Sequence, residues 1–201
     1  TSVILVCAGN ATRMQGKNKI LLPLGDTNVI GMSMRAFEAC PRVAEIIVVA
    51  RPSDHDAIRE TAQQCGITKF HAIVAGGSTR QESVMCGLRA LSKGTTMIAV
   101  HDGARPLVTD AVICRAVSKA KKFGAAAPAV RVKDTIKVST DGTVESTPDR
   151  KTLFFLHALP IQLFICVHIR QLFRAPVPAL RQNIRALDRK QCRLSLIHIS
   201  E

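Results

Sequence analysis

The sequence predicts an α/β fold, with a mainly parallel sheet, helices on both faces and a protruding β-hairpin arm. Three observations carry this prediction. Short aliphatic or β-branched runs alternate with amphipathic stretches over the first 130 or so residues, a pattern that builds a parallel sheet through right-handed crossovers. Polar loops of small residues follow three of the strand-like runs, at 7–13, 76–80 and 101–105. Asp141-Gly142 lies between two alternating apolar/polar runs, a hairpin signal.

In chain order, Ser2-Val3-Ile4-Leu5-Val6 reads as a buried strand entering the small-residue loop Cys7-Ala8-Gly9-Asn10-Ala11-Thr12-Arg13. Gly16-Lys17-Asn18-Lys19 adds a second basic cluster. Small side chains let backbone N–H groups approach an anion, and Arg13 and Lys19 can neutralise it. Residues 29–39 fit an amphipathic helix stopped near Cys40-Pro41. Glu45-Ile46-Ile47-Val48-Val49-Ala50 is a buried strand. Ser53 is placed to cap a helix over 54–65, and 69–75 is a further strand. A helix is predicted over 82–92 and a strand over 97–100. Residues 109–123 form a helix capped by Thr109 and stopped by Gly124, followed by a strand over 125–132. In a parallel sheet the three polar loops face one edge, at the carboxyl ends of the strands, where ligands bind.

A chain of 201 residues with 47% apolar content suits one globular core. No secretory signal is legible near the start. Seven scattered cysteines, with no C-x-x-C pair, point to reduced thiols in a cytosol-like compartment and away from zinc or a disulfide frame. The net charge is +13. Such a balance fits nucleic acid, a membrane surface or an anionic small substrate, and the absence of a dense Lys/Arg run and the near-absence of aromatic residues to stack on bases disfavour nucleic acid. Leu153-to-Ile169 is too short and too polar to span a membrane.

Several loop residues carry chemistry of their own. Asp102 either holds Mg²⁺, a hard cation that takes oxygen ligands, or caps a turn. Arg105, beside Pro106, either meets an anion or is solvated. Gly76-Gly77 either admits a ligand close to the backbone or forms a plain turn. Ser83 is a binding hydroxyl or a cap.

Taken together, a series of motifs in unbroken order resembles the 2-C-methyl-D-erythritol 4-phosphate cytidylyltransferases of non-mevalonate isoprenoid synthesis. They are Ala8-Gly9-x-x-x-Arg13-Met14, Lys19, Gly76-Gly77-x-x-Arg80-Gln81-x-Ser83-Val84, His101-Asp102-x-Ala104-Arg105-Pro106, Lys133-Asp134-Thr135-Ile136-Lys137 and Thr147-Pro148-Asp149-Arg150. The resemblance runs over about residues 2–153. It implies a Rossmann-like nucleotidyltransferase fold and a homodimer joined through the arm at 134–150. It also implies transfer of CMP from CTP to methylerythritol 4-phosphate, with release of pyrophosphate.

Matched position by position, the resemblance makes Arg13 and Lys19 the pair that stabilises charge on the α-phosphorus, with Arg150 counted beside them in catalysis. It makes Asp102 the ligand of Mg²⁺ or another divalent cation. Ala8, Gly9, Gly77, Ser83, Asp102 and Gly103 would hold the nucleotide. Arg105, Thr135 and Arg150 would receive the sugar-alcohol phosphate, the arm residues reaching the other subunit's site. The implied compartment is the bacterial cytoplasm, or the plastid of a eukaryote. Two readings stand beside this one: a cytidylyltransferase for another polyol phosphate such as ribitol 5-phosphate, and a CTP-binding protein without activity. A dinucleotide dehydrogenase is disfavoured, because Gly9-x-Ala11 lacks the G-x-G-x-x-G spacing.

The chain departs from the family at five places. Cys7 stands where alanine is usual, Ala11 where a second glycine is usual, and Gly103-Ala104 where the family has Ala-Ala. The segment from Leu153 to Phe164 only echoes the family's Leu-Trp-x-x-Gln-Thr-Pro-Gln-x-Phe, and Asn183-Ile184-Arg185 only echoes its closing Asn-Ile-Lys. From Lys151 onward there are eight basic residues against two acidic ones. Residues 1–153 are therefore expected to form the nucleotidyltransferase domain. Residues 154–201 are expected to be a divergent or out-of-frame tail that weakens activity. A coding DNA with no family-like continuation in another frame would sink the out-of-frame hypothesis.

Overall fold

The computed structural model describes residues 1–9, 18–155, 165–168 and 193–198. The elements are β1 (Ser2–Val6), β2 (Pro23–Leu24), β3 (Thr27–Asn28), α1 (Val29–Glu38), β4 (Glu45–Ala50), α2 (His55–Gln64), β5 (Phe70–Ala75) and α3 (Arg80–Arg89). They continue with β6 (Met97–Asp102), α4 (Asp110–Phe123), β7 (Gly124–Arg131), β8 (Val138–Ser139), β9 (Val144–Ser146), β10 (Phe154–Phe155), β11 (Ile165–His168) and β12 (Arg193–His198). The main sheet runs β10-β7-β11-β6-β1-β4-β5, with β12 also on β7. β6, β1, β4 and β5 are parallel neighbours. β11 is antiparallel to both β6 and β7.

The alternation along β1 splits the core. Val3 and Leu5 face α1, α2 and α4, packing with Ile30, Met34, Phe37, Ile58 and Ile113. Ile4 and Val6 face the other side, where α3 lies against Val49 and Ile98. The helix on that side sits close because of Gly87. A Cβ there would come within 2.5 Å of Ile4 Cγ2 and 3.0 Å of Val49 Cγ2.

Local chemistry sets the helix ends. Asn28 caps α1 through a bond from Gly31 N at 2.9 Å, and Thr109 caps α4 by accepting from Val112 N. Gly124, at φ +92°, ends α4 in a conformation that L side chains avoid. The start of α2 differs from expectation. Pro52–Asp54 forms a 3₁₀ turn and the helix begins at His55. Ser53 Oγ donates instead to Asp54 Oδ1 at 3.3 Å, and Asp54 is tied to Arg51 at 2.9 Å. The start of α3 is also earlier than expected. Thr79 is its cap, accepting from Glu82 N at 3.1 Å, so the helix begins at Arg80.

The arm is present as β8 and β9, joined through Gly142 at φ +92°, and its strands are exposed on both sides. Beyond residue 153, β10, β11 and β12 all pair with β7 in the main sheet. Among the described residues no helix is long and apolar enough to cross a membrane.

One buried group ties the core to pH. His101, in β6, is 0% exposed and packs edge-on against Phe37 with ring centroids 5.1 Å apart. Its Nε2 donates to the Arg105 carbonyl at 2.9 Å, so Nε2 carries the proton, and Nδ1 is buried without a partner. Burial lowers its pKa from 6.5 to about 4; the hydrogen bond to the Arg105 carbonyl and the nearby Asp102 charge pull the other way, and the Arg105 charge adds to the depression. Between those values the unfolded chain binds a proton that the folded chain refuses. Stability is therefore full above about pH 6.5 and falls as the pH drops toward 4, by about 3 kcal/mol from this group. Urea denaturation from pH 7.5 to 4.5 should show that loss in the parent chain and much less of it in His101→Gln. Equal slopes in the two proteins would place the effect elsewhere.

Candidate functional site

Three loops leave the sheet side by side because the strand pairing continues one step past each strand. Cys7 N donates to Val49 O at 2.7 Å, Gly103 N to Val6 O at 3.0 Å, and Gly76 N to Ala50 O at 3.1 Å. The loops enclose a cavity of about 640 Å³ at the carboxyl ends of the parallel strands. Ala8, Gly9, Lys19, Gly77, Ser83, Asp102 and Arg105 all line it. Their convergence matches the single sheet edge that the loop positions predict.

The loop after β5 is locked by its own helix. Ser83 is buried; its Oγ accepts from Gly77 N at 3.1 Å and donates to Thr79 O at 3.0 Å. Glu82 accepts from Ser78 N at 2.9 Å. The two glycines are required by space. A Cβ on Gly76 would lie 2.2 Å from Ala8 Cβ, and one on Gly77 would lie 2.3 Å from Glu82 Cβ. The backbone of this loop therefore presses against the loop after β1, leaving main-chain groups rather than side chains to face a ligand.

The loop after β6 carries the charge. Asp102 pairs with Arg80 Nη2 at 2.9 Å and with Arg105 Nε at 3.1 Å. Arg105 N closes the turn onto Asp102 O at 3.0 Å, and His101 holds the Arg105 carbonyl. Lys19 is exposed and lines the same cavity, with no ion pair among the described residues. Three cations to one carboxylate leave the described lining electropositive, which suits a polyphosphate. Among the described residues, no group of three or more His, Cys, Asp or Glu side chains could hold a metal by itself. A divalent cation fits here only with Asp102 as one hard oxygen ligand and the substrate's phosphate oxygens and water as the others.

Other sequence-predicted residues sit elsewhere. Gly103 is buried behind the lining, its carbonyl accepting from Ser33 Oγ at 2.8 Å. Thr135 and Arg150 are exposed on the arm and do not line the pocket of their own chain; Arg150 donates to the Lys133 carbonyl at 3.1 Å. Arg13 and Ala11 lie outside the described residues. Sequence reading assigned no role to Asn18, Thr79 or Arg80, which also line the cavity. For Thr79 a signal was present, since Thr79-x-x-Glu82 is a capping box.

Two departures from the family pattern turn out to be one packing event. A Cβ on Gly103 would sit 2.2 Å from Cys7 Sγ and 3.0 Å from Ile30 Cδ1. Cysteine at 7 and alanine at 103 cannot share that space. Burial, reinforced by the charges of Asp102 and Asp54, pushes the Cys7 thiol pKa well up, so it fills the space as a neutral group. Gly103→Ala alone should cost ~1–3 kcal/mol, and adding Cys7→Ala should recover most of it. A double-mutant cycle by urea denaturation measures the coupling; simple additivity would break the explanation.

Comparison with known proteins bears on what this site serves. The family model for 2-C-methyl-D-erythritol 4-phosphate cytidylyltransferase matches residues 1–185, which extends past residue 153, where the sequence motifs end. A protein of that description from Clostridium acetobutylicum is 36% identical over 188 residues, covering 92% of this chain and 80% of its own. One from Syntrophotalea carbinolica is 39% identical over 189 residues, covering 92% and 79%. Among solved structures, the 4-diphosphocytidyl-2C-methyl-D-erythritol synthase of Anaerococcus prevotii superposes with a TM-score of 0.79 at 24% identity, over 98% of this chain and 86% of that one. The bifunctional enzyme of Campylobacter jejuni superposes with a TM-score of 0.71 at 20% identity, over 100% of this chain and 50% of that one. These two structural likenesses bear on the fold.

Proposed function

This chain belongs to the 2-C-methyl-D-erythritol 4-phosphate cytidylyltransferase family, and from that premise we propose that it transfers CMP from CTP to methylerythritol 4-phosphate. The observation that carries the reading is the convergence of three strand-end loops on one cavity whose described lining is electropositive and holds a single carboxylate. A phosphate oxygen of the polyol phosphate attacks the α-phosphorus of CTP. The bond from that phosphorus to the bridging oxygen breaks, and pyrophosphate leaves with the electron pair. The protein supplies position and charge rather than covalent chemistry.

The roles follow from placement. The close-packed backbone at Ala8, Gly9 and Gly77, fixed by Ser83, forms the wall against which the nucleoside is held. Lys19 neutralises charge developing on the α-phosphoryl oxygens, and Arg13 is assigned the same work by family resemblance. Asp102 is the side chain that would hold a divalent cation; when bound, the cation adds charge neutralisation at the phosphates. Arg105 faces the incoming polyol phosphate. Thr135 and Arg150, exposed on the arm and away from their own pocket, are supplied to the site by a second copy of the chain, making the enzyme a homodimer with composite sites. Its reduced thiols suit a bacterial cytoplasm or a plastid.

Pyrophosphate release should require CTP and methylerythritol 4-phosphate together, and ribitol 5-phosphate should be a far poorer partner. CTP binding without release would return the protein to a binding role. Lys19→Ala should lower turnover by roughly 10²–10³-fold, the cost of removing one preorganised charge; an unchanged rate would remove it from the transition state.

The composite site has its own test. Lys19→Ala and Arg150→Ala chains, each nearly inactive, should recover about a quarter of the parent rate when mixed in equal amounts and allowed to exchange, because half the dimers then hold one intact site. No recovery, despite exchange shown by mass spectrometry, would break the arm assignment.

A further inference from the structure

Asp102 is the one carboxylate among the described residues lining the cavity, and both of its oxygens already receive a guanidinium N–H. The two arginines come from different places. Arg105 belongs to the same turn, three residues on, with its backbone bonded to Asp102 O and His101 Nε2. It travels with the carboxylate. Arg80 comes from the first residue of α3, 22 positions away in sequence, and reaches Asp102 Oδ1 at 2.9 Å from a half-exposed position. Its guanidinium joins the loop after β5 to the loop after β6.

From this geometry we propose that Arg80 is a positioning residue that occupies Asp102 in place of a divalent cation, and moves onto the nucleotide's phosphates when cation and triphosphate arrive together. The proposal rests on the reading of Asp102 as the cation's ligand. A free divalent cation approaching Asp102 meets two guanidiniums already at hydrogen-bond distance from the carboxylate, and like charges repel strongly at such separations. Nothing on the cation compensates Arg80 for the anion it would lose. A triphosphate changes this balance. It brings its own negative charge and offers the guanidinium a bidentate partner equivalent to the carboxylate. The exchange then leaves no cation without an anion. Asp102 is thus masked until the nucleotide is present, and cation and CTP load as one unit.

Arg80 is distinguished from Arg105 by mobility of attachment. Its side chain is 48% exposed against 29% for Arg105. The N-terminus of α3 is held without it, by Thr79 Oγ1 and by Ser83 Oγ. Removing the Arg80 guanidinium therefore alters the masking and leaves the loop seated.

The test uses Mn²⁺ as the probe, with free Mn²⁺ read by electron paramagnetic resonance, in the full chain without polyol phosphate. Compared are the parent, Arg80→Gln, Asp102→Asn and the double variant, each with and without CTP. Without CTP, Arg80→Gln should bind Mn²⁺ on the order of tenfold more tightly than the parent, since one charge-assisted contact no longer competes. The double variant should lose that gain. With CTP, after subtracting the Mn²⁺ that the same concentration of CTP takes up without protein, the parent should bind further Mn²⁺ and Asp102→Asn should not. If Arg80→Gln binds Mn²⁺ alone no better than the parent while Asp102→Asn still abolishes uptake with CTP, the masking role is overturned and the cation reading survives. If Asp102→Asn takes up Mn²⁺ with CTP as the parent does, the cation reading itself fails and the masking role goes with it.

Discussion

β1 is hydrogen-bonded in parallel to β4 on one side and to β6 on the other, with Val6 opposite Val49 and opposite Asp102. That register is the constraint from which the site follows. Because the strands end level, the loops after β1 and β6 emerge next to one another. The first hydrogen bond beyond each strand, Cys7 N to Val49 O and Gly103 N to Val6 O, sets the direction in which each loop departs. A slip by one residue would turn every side chain of β1 to the opposite face. Val3 and Leu5 would lose the α1–α2–α4 core, and Asp102 would no longer stand beside the loop that carries Ala8 and Gly9. The apolar pattern of β1 and the location of the chemistry are thus the same fact.

Close approach is the second theme. Gly87 lets α3 lie on the sheet, and Ser83, one turn earlier on the same face, then reaches the backbone of Gly77. Gly76 meets Ala8 across the two loops, and Gly103 makes room for Cys7 beneath Asp102. These contacts lie behind the cavity wall and bring the loops close, so that main chain at Ala8, Gly9 and Gly77 lines it, where backbone N–H groups can meet phosphate or base. His101 belongs to this scaffolding. Neutral and buried, it holds the Arg105 carbonyl and so fixes the turn on which Asp102 and Arg105 face each other.

The electrostatics are arranged around a deficit of negative charge. Lys19, Arg80 and Arg105 line the cavity with one carboxylate among the described residues, Asp102, which pairs with the two arginines alone, so the described lining suits an anionic ligand. Half-exposed ion pairs of this kind contribute little to stability. Their value lies in poise: a guanidinium held on Asp102 is preorganised near the place where phosphate is to sit, and a carboxylate held by guanidiniums is kept from stray cations. The arm at 134–150 adds no residue to the described lining. Its strands bury little against their own chain, and Thr135 and Arg150 are displayed on it rather than turned inward.

Much of this was legible in the sequence wherever the determinant is local. The β-branched runs of β1 and β4, the Thr109 cap and Gly124 stop of α4, and the Asp141-Gly142 turn of the arm depend on residues within a few positions of one another. So do the small-residue loops at the strand ends, which border the cavity. Errors arose where two local signals competed. Gly76-Gly77-Ser78 read as loop and obscured the Thr79–Glu82 box that starts α3, while Ser53 looked like a cap but yielded to the Pro52 turn. What only the tertiary structure decided is non-local: the insertion of β11 between β6 and β7, the fit of Cys7 under Gly103, and the grip of Arg80 on Asp102 from 22 residues away. A sequence states which side chains can pair; which of them come within 3 Å is set by strand order and register, and those exist only once the sheet has formed.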